Sequence, residues 1–304
     1  MSDAPISPDA GAADAAQPAQ AARVWPAVKL PGSQVRRLHA ASNGQHYRIS
    51  LWLPPGEVPA GGFPAIYVLD ANALFGTFVE GVRRSSRRPD ATGVVPTAVI
   101  GIAQEDTDGS QPLYAEALRR RDFTAGPPAD EPAPAAGTVG GAPAFLQFLV
   151  DELAPALRAE MPLNAARQTL FGHSLAGHFV LQALAARPDA FRNWAAISPS
   201  IWWDEPDLRA RLTAALPHAS HPRLFMAVGE YEGEVPPWQR TQPGYEQLVA
   251  RRAKRQMVAS TQALAAELGP RFGEGEFVLR VFPEEDHASI LMIATQRALR
   301  FSAG

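Results

Sequence analysis

The sequence predicts an α/β fold in which a doubly wound, mostly parallel sheet carries helices on both faces. Three observations indicate this class: short apolar runs alternate with segments of helical spacing, two runs are apolar throughout, and a hairpin signal precedes them. Strands that alternate with helices pair in parallel, because each helix returns the chain to the same edge of the sheet. The hairpin adds an antiparallel pair at the N-terminal end.

The strands are predicted from apolar runs that turn residues bound. Asn43-Gly44 lies between two alternating segments, which is typical of a tight β-hairpin. Two later runs are continuously apolar, as expected for strands that are buried on both faces. The predicted strands are Val35 to Leu38, Tyr47 to Leu53, Phe63 to Asp70, Val94 to Ile102, Thr169 to Phe171, Trp194 to Ile197, Arg223 to Val228 and Phe277 to Phe282.

Helices are predicted where apolar residues recur every three or four positions. They are Phe145 to Leu157, Leu175 to Ala186, Asp207 to Leu216, Tyr245 to Leu268 and Ala288 to Phe301. Two stretches do not follow the alternation: residues 83–88, which are rich in arginine, and residues 119–141, which are rich in proline, alanine and glycine. The second stretch is long enough to be a loop or a lid.

Composition limits the classes of function. With 304 residues, 46% hydrophobic and 19% charged, the chain is globular, and its formal net charge of −3 gives no electrostatic footprint for nucleic acid. The absence of cysteine excludes disulfides, thiolate metal sites and cysteine nucleophiles. Metal-ligand spacing, dinucleotide fingerprints and phosphate-binding loops are also missing from the sequence, so no metal site is predicted.

The first 23 residues differ in composition from the rest of the chain. Residues 1–23 have few large apolar side chains and are predicted to be a disordered leader, whereas residues 24–304 are predicted to be one domain. Neither a secretory signal nor a membrane-spanning run is recognisable. We therefore expect a cytoplasmic protein, or a periplasmic one if the start or a processed signal has been misjudged.

The strongest functional signal follows the strand at Thr169 to Phe171. That strand is followed by Gly172-x-Ser174-x-x-Gly177 and then by a helical pattern. A serine between a strand end and a helix start is typical of the nucleophile elbow of α/β-hydrolases, although a serine that merely caps a helix is the alternative. A side chain at Gly172 or Gly177 would collide with backbone in so tight a turn. The pattern predicts an α/β-hydrolase fold with Ser174 as nucleophile.

A serine nucleophile needs a histidine base and a carboxylate, and in this fold the acid and then the histidine follow it along the chain. His287 is the preferred base, because it follows the last strand and so lies at the carboxyl edge of the sheet. Glu232 is the preferred acid, with Glu230 as the alternative, because both follow the preceding strand. The backbone N–H groups of Leu175 and Asn72 are the predicted oxyanion hole.

Five segments, in this order, resemble one known family: AIYVLDAN (65–72), RDFT (121–124), LFGHSLAGHF (170–179), ISPSIWW (197–203) and EDHASI (285–290). They are similar to the putative-esterase branch of the α/β-hydrolases, and most similar to the esterases that open the trilactones of enterobactin, salmochelin or bacillibactin. The resemblance implies a serine esterase that acts through an acyl-enzyme without a cofactor, on a substrate that brings its own iron. A partner other than this small molecule is not implied, and a monomer or weak homodimer is expected.

The resemblance also suggests substrate contacts. A ferric catecholate is anionic, so arginines are candidates, and Trp202 and Trp203 are candidates for a wall against aromatic rings, with core packing as the alternative. His173, beside the nucleophile, is a further candidate that is expected to pack or hydrogen-bond locally. The arginine candidates are Arg83, Arg84, Arg87, Arg88 and Arg121, of which Arg84, Arg87 and Arg121 are preferred.

Two other functions are compatible with the sequence. One is a carboxylesterase or thioesterase that acts on another small metabolite. The other is a non-catalytic member of the family that binds a siderophore without cleaving it. The second is motivated by Ala176, where siderophore esterases usually have glycine, as they do at Ala71, and by the uncertain acid. The acid is Glu232 or Glu230, or the enzyme works with a serine–histidine pair alone, as some members of the family do.

Overall fold

The computed structural model describes residue 26 and residues 28–105, 112–128 and 135–304 of the chain. Contacts divide the chain into two units, Met1–Leu30 and Pro31–Gly304. Of the first unit, only Pro26 and residues 28–30 are described, so the predicted leader at 1–23 lies outside the described residues. All elements named below belong to the second unit.

The described strands form one mixed sheet. They are β1 (Ser33–His39), β2 (His46–Trp52), β3 (Phe63–Leu69), β4 (Ala98–Gln104), β5 (Leu163–His173), β6 (Asn193–Ile197), β7 (Arg223–Gly229) and β8 (Phe277–Phe282). Their order across the sheet is β1-β2-β4-β3-β5-β6-β7-β8. β2 pairs antiparallel with β1 and with β4, and the other pairs are parallel. The predicted doubly wound, mostly parallel sheet with an antiparallel start is confirmed.

The turn between β1 and β2 is built as its sequence predicts. Gly44 adopts a φ of 68°, in the left-handed region that glycine enters without strain. The side-chain oxygen of Asn43 accepts the N–H of Gln45 at 3.0 Å, and the N–H of Ala40 donates to the carbonyl of Gln45 at 2.8 Å. The Asn-Gly pair therefore closes the hairpin.

Helices cover both faces of this sheet. They are α1 (Ala71–Ser85), α2 (Pro89–Thr92), α3 (Glu116–Phe123), α4 (Ala142–Gln147), α5 (Ala154–Glu160), α6 (Leu175–Ala186), α7 (Glu205–Ala215), α8 (Tyr245–Arg255), α9 (Met257–Leu268) and α10 (Ile290–Ala303). Every residue of β3 and of β4 is buried, which requires cover on both faces. Among the described helices, none is both long and apolar enough to cross a bilayer.

Some helices differ from the prediction. The predicted helix from 245 to 268 is two helices, because Gln256 adopts a φ of 44° and ends α8 before α9 begins. α9 buries Leu264 and Leu268, whereas α8 contains no buried residue. α1 and α3 were not predicted, and the predicted helix at 145–157 is interrupted by a π-helical stretch, Phe148–Leu153, between α4 and α5. Part of the suggested lid, residues 129–134, lies outside the described residues.

Candidate active site

Ser174 lies between the end of β5 and the start of α6, with a φ of 59° and a ψ of −120°. L-residues rarely adopt this combination, so it persists only where neighbouring bonds enforce it. The N–H of Ser174 donates to the carbonyl of Ile197 at 2.9 Å. The carbonyl of Ser174 accepts the N–H of His178 at 3.0 Å and that of Ser200 at 3.1 Å. Three backbone bonds therefore fix the strained turn.

Two glycines allow this turn to close. A Cβ on Gly172, near the end of β5, would collide with the carbonyl oxygen of Ala176, in the first turn of α6. A Cβ on Gly177 would lie 2.8 Å from the carbonyl oxygen of Ile197, on the neighbouring strand β6. The predicted close approach of backbone at both glycines is confirmed, and it lets the helix start directly over the sheet edge.

The structure brings the predicted serine, histidine and glutamate into one hydrogen-bonded chain. The Oγ of Ser174 lies 2.9 Å from Nε2 of His287, and Nδ1 of His287 lies 2.5 Å from Oε2 of Glu232. An ionised carboxylate can only accept hydrogen bonds, so Nδ1 carries the ring proton and Nε2 is left to accept from the serine hydroxyl. This is the orientation that a general base next to a serine requires.

Glu232 is buried, with 4% of its surface exposed, and its second oxygen is also held. Its Oε1 accepts the hydroxyl of Ser198 at 2.5 Å and the N–H of Gly229 at 2.8 Å. Glu230 instead accepts the N–H of Glu284 at 2.8 Å through its Oε2. Of the two candidate acids, Glu232 therefore contacts the imidazole of His287. Glu230 instead contacts the loop in which His287 lies.

The loops that carry the acid and the histidine are joined to each other. The N–H of Tyr231 donates to the carbonyl of Glu285 at 3.0 Å, and a Cβ on Gly229 would collide with that same oxygen. Ser198, which holds the acid, was not predicted. It is fully buried directly after β6, with a φ of 44°, and its position at the carboxyl end of a strand is the signal that could have found it.

The two predicted oxyanion donors lie at the starts of neighbouring helices. Leu175 is the first residue of α6 and Asn72 the second residue of α1, and these helices follow the adjacent parallel strands β5 and β3. The first turn of α1 directs the N–H groups of Ala73 and Leu74 to the carbonyl of Asp70, at 3.0 and 3.2 Å. Neither the Leu175 nor the Asn72 N–H donates to another of the described residues. Both are therefore available to an oxyanion.

A buried ion pair supports the start of α1. Asp70 adopts a φ of 54° there, and its carboxylate receives Nε and Nη2 of Arg119 at 2.8 and 3.0 Å. The side chain of Asp70 is 2% exposed and that of Arg119 is 6% exposed. Burial raises the pKa of Asp70, and the charge of Arg119 opposes that rise. The pair ties the predicted oxyanion loop to α3.

A cavity of about 260 Å³ opens beside Ser174. Its walls come from the elbow, from the turn after β6, from the loop after β7, from α8 and from the start of α9, and they include Ser200, Trp202, Tyr231, Leu248 and Met257. A second cavity, of about 300 Å³, lies beside α6, and its described lining contains neither serine nor histidine. Within the described part of the chain, no group of three or more His, Asp and Glu side chains is placed to hold a metal ion.

The structure does not bring three of the predicted substrate contacts to this cavity. Arg84 lies in the last turn of the 15-residue helix α1, and Arg87 lies beyond it, about 20 Å from the helix start by its rise. The guanidinium of Arg121 binds Asp122 at 2.7 Å and the side chain of Gln45 at 2.7 Å. Arg84, Arg87 and Arg121 are therefore not among the described residues that line the cavity beside Ser174.

The two predicted tryptophans lie in different environments. Trp202 lines the cavity beside Ser174, and its contact with a substrate stays a prediction. Trp203 is buried, with 3% of its surface exposed, and its indole N–H donates to the carbonyl of Gly126 at 2.9 Å. Trp203 therefore packs in the core, which was the alternative to a substrate contact.

His173 lies beneath the histidine of the triad. It is buried, and its ring centroid is 4.6 Å from that of His287. Burial, followed by the charge of His287, lowers the pKa of His173 well below its usual range. The ring is therefore neutral at physiological pH, and it supports the catalytic imidazole from below rather than contacting substrate through a charge.

This depressed pKa makes stability depend on pH. Below the ordinary histidine pKa, the His173 side chain binds a proton in the unfolded chain but stays neutral in the folded protein. The free energy of unfolding therefore falls as pH decreases below about 6.5. One such group contributes at most about 1.4 kcal/mol per pH unit. Urea unfolding at several pH values from about 5 to 7.5 should show a shallower slope for His173→Phe than for the parent. His218→Phe, at an exposed position, is the control and should keep the parent slope; equal slopes for all three proteins would contradict the prediction.

Comparison with known proteins agrees with the fold and the motifs. The family model described as "Putative esterase" matches residues 40–267. "Ferri-bacillibactin esterase BesA" of Bacillus subtilis is 35% identical over 91% of both chains. "Siderophore triacetylfusarinine C esterase" of Aspergillus fumigatus is 30% identical over 90% of this chain and 93% of its own. "Siderophore enterobactin esterase" of Emericella nidulans is 30% identical over 82% of this chain and 85% of its own.

Solved structures give the same result. The BES protein of Bacillus cereus superposes with a TM-score of 0.76 at 27% identity, covering 92% of this chain and 97% of its own. The siderophore hydrolase EstB of Aspergillus nidulans has a TM-score of 0.76 at 26% identity, covering 90% of this chain and 96% of its own. The resemblance that the five motifs indicate is confirmed. The chain belongs to the "Putative esterase" family of α/β-hydrolase enzymes.

Proposed function

We propose that the protein hydrolyses the lactone esters of a ferric catecholate siderophore through an acyl-enzyme on Ser174. The observation that carries the proposal is the hydrogen-bonded chain from Ser174 through His287 to Glu232, which opens into a cavity. Its order and geometry are those that activate a serine hydroxyl for attack on a carbonyl.

In the first half of the reaction, the Oγ of Ser174 attacks the ester carbonyl while its proton passes to Nε2 of His287. Glu232 stabilises the imidazolium that forms, because its carboxylate accepts the Nδ1–H. The carbonyl oxygen becomes an oxyanion, and the N–H groups of Leu175 and Asn72 stabilise it. When the tetrahedral intermediate collapses, His287 gives its proton to the departing alkoxide, and the acyl group stays on Ser174.

In the second half, water releases the acyl group. His287 accepts a proton from the water, which attacks the acyl carbonyl, and a second oxyanion forms between the same two N–H groups. Its collapse expels the Oγ of Ser174, which recovers its proton from His287, and leaves a free carboxylic acid. Three side chains, two backbone N–H groups and water complete this proposed cycle without a cofactor, and any iron enters and leaves with the substrate.

The substrate class rests on the relatives. Three proteins that are 30–35% identical to this chain are named esterases of ferri-bacillibactin, enterobactin and triacetylfusarinine C. These names share a siderophore as the ester that is cleaved. Within the site, Trp202 offers an aromatic wall on which the flat ring of a catecholate can stack.

Product analysis tests the proposal. The purified protein is incubated with iron-loaded and iron-free enterobactin and bacillibactin, and the products are separated by liquid chromatography and weighed by mass spectrometry. We expect a ring-opened linear trimer with two remaining ester bonds first and shorter fragments later, because each ester bond is cleaved in a separate cycle. A panel of 4-nitrophenyl esters and acyl thioesters is measured in parallel.

The panel gives the outcome that would reject this substrate. Turnover of short acyl esters or thioesters, with both trilactones left intact in either iron state, would make the protein a carboxylesterase or thioesterase for another metabolite.

A further inference from the structure

The side chain of Asn72 forms a bridge beside the predicted oxyanion hole. Its Oδ1 accepts a hydrogen bond from Nη1 of Arg48 at 3.1 Å, and its Nδ2 donates to the carbonyl of Pro112 at 3.0 Å. A guanidinium only donates and a carbonyl only accepts, so this orientation of the amide is the one that satisfies both neighbours. The residue whose backbone N–H is a predicted oxyanion donor is therefore held by its side chain at two points.

The two partners of this amide come from separate parts of the fold. Arg48 lies on β2, opposite Ala103 near the end of β4, and so stands at the edge of the sheet where α1 begins. Pro112 lies between β4 and α3 along the chain. Because β4 separates β2 from β3 in the sheet, the bond from Arg48 crosses one strand to reach the start of α1. The contact thus joins the N-terminal hairpin to the loop after β3.

The two predicted oxyanion donors are fixed by different means. Leu175 directly follows Ser174, whose N–H and carbonyl make three backbone hydrogen bonds. Near Asn72, the N–H groups of Ala73 and Leu74 bind the carbonyl of Asp70, but the N–H of Asn72 donates to none of the described residues. The first turn of a helix frays easily, because its N–H groups lack intrahelical partners. The side-chain bonds of Asn72 therefore restrain a peptide unit that backbone bonds leave free.

The bond between Arg48 and Asn72 is partly shielded from water. Both residues are half-buried. A hydrogen bond from a charged donor is stronger than one between neutral groups, and it competes better with water where the pair is shielded. The restraint on Asn72 is therefore strong enough to influence the geometry of the loop.

We propose that Arg48 is a positioning residue for the oxyanion hole. It holds the amide of Asn72, so that the backbone N–H of the same residue faces the developing oxyanion. The inference rests on the proposed ester hydrolysis at Ser174. Arg48 is not among the described residues that line the cavity, so it acts through Asn72. Because negative charge develops on the carbonyl oxygen only as the bond to Ser174 forms, a displaced donor slows the reaction more than it weakens substrate binding.

Arg48→Met tests this role, because methionine retains an apolar stem and removes the donor. Removal of a whole oxyanion donor costs about 10²–10³ in kcat, and a displaced donor keeps part of its effect. With a 4-nitrophenyl ester, we therefore expect kcat to fall by about five- to fiftyfold, and KM to change by less than about threefold.

Arg36→Met is the matched control. It removes a guanidinium from the neighbouring strand β1, where Arg36 forms an exposed ion pair with Glu160, and it should keep the parent kcat. Unfolding curves show that both variants are folded. An unchanged kcat in folded Arg48→Met, or an equal loss in Arg36→Met, would overturn the proposal.

A double-variant cycle shows whether Arg48 acts through Asn72. Asn72→Ala keeps the backbone N–H but removes the amide that Arg48 holds, so it should lower kcat as Arg48→Met does. Adding Arg48→Met to Asn72→Ala should then change kcat by less than about twofold. Losses that multiply, as they do for independent sites, would contradict the positioning role.

The rate of labelling by a fluorophosphonate separates this inference from the proposed function. The Oγ of Ser174 displaces fluoride from phosphorus, and the phosphoryl oxygen occupies the place of the oxyanion without any ester being present. The second-order rate constant should fall in Arg48→Met by a factor similar to that in kcat, and it should stay unchanged in Arg36→Met. Ester turnover with equal labelling rates in all three proteins would reject the role of Arg48 and keep the proposed function. No turnover of any ester, with slower labelling of Arg48→Met, would reject the proposed function and leave the positioning role standing.

Discussion

Replacing Ser174 with alanine is expected to lower kcat for ester hydrolysis by at least about 10⁴-fold. The variant keeps the imidazole, the acid and both oxyanion donors, but it has no oxygen that can form the acyl-enzyme. Because the Cβ of alanine fits the position of the serine Cβ, the elbow and its three backbone bonds are preserved. Initial rates on a 4-nitrophenyl ester measure the loss of kcat. Circular dichroism and an unfolding curve show that the variant is folded as the parent is.

Covalent labelling gives an independent readout of the same prediction. A fluorophosphonate should add to the parent at Ser174, as seen by peptide mass spectrometry, and should not add to Ser174→Ala. Ser85→Ala, at the far end of α1, is the matched control and should retain both labelling and activity. Activity above about one hundredth of the parent in Ser174→Ala would mean that another residue is the nucleophile. A parent that binds siderophore tightly but takes no label would support the non-catalytic alternative.

Replacing Arg119 with methionine is expected to lower the free energy of unfolding by about 3–5 kcal/mol. Methionine roughly fills the space of the arginine stem, but it leaves the carboxylate of Asp70 buried without its partner. The loss should be smaller at low pH, because a carboxyl that is protonated no longer carries an unpaired charge. Urea unfolding of the parent and the variant at several pH values measures this loss in the free energy of unfolding.

Two comparisons show whether the loss comes from the ion pair. Asp70→Asn combined with Arg119→Met removes both charges, and asparagine tolerates the left-handed backbone of position 70, so the double variant should recover part of the stability. Arg36→Met breaks an ion pair with Glu160 whose side chains are 59% and 45% exposed, and it should cost less than about 1 kcal/mol. A cost for Arg119→Met no larger than that for Arg36→Met would contradict the prediction.

The same variant should also affect catalysis. Asp70 sits at the start of the helix that supplies the Asn72 N–H, so loss of its partner should shift this donor and lower kcat more than it changes KM. An unchanged kcat in a folded Arg119→Met protein would show that the ion pair supports only the fold.

Much of this architecture is readable in the sequence because it depends on local patterns. A strand that is buried on both faces must be apolar throughout, and Phe63–Leu69 and Ala98–Gln104 lie where such runs were found. The elbow is equally local, since Gly172 and Gly177 relieve collisions with backbone a few residues away in the chain or on the next strand. The chain order of acid and histidine then indicated His287 and the loop that carries both Glu230 and Glu232.

The choice between two acids depends on contacts that sequence spacing does not encode. Glu230 and Glu232 are two residues apart in the same loop. What directs Glu232 inward is the N–H of Gly229, three residues back, and the hydroxyl of Ser198, which comes from a different strand end. Glu232 is distinguished from Glu230 only once β6 and β7 are known to be neighbouring strands.

Arg84 and Arg87 lie outside the lining of the cavity beside Ser174 for a reason of helix geometry. The motifs placed the start of α1 near the nucleophile, but that helix was not predicted, and its 15 residues carry Arg84 to its opposite end. The arginines that reach the cavity lie on α8, in a stretch that reads as an ordinary solvated helix continuing to residue 268. The bend at Gln256, with its φ of 44°, separates α8 from α9, and no signal in the pattern predicts it.

Because α8 buries none of its residues, its sequence is almost free of the packing constraints that hold the rest of the protein. A helix of this kind can vary in charge while the catalytic machinery stays unchanged, since little folding energy depends on it. The catalytic side chains therefore lie on strand ends and loops of the core, whereas α8 contributes only wall residues to the cavity beside Ser174. Transplanting residues 245–255 between members of the family would therefore change a wall of the cavity without changing the catalytic residues.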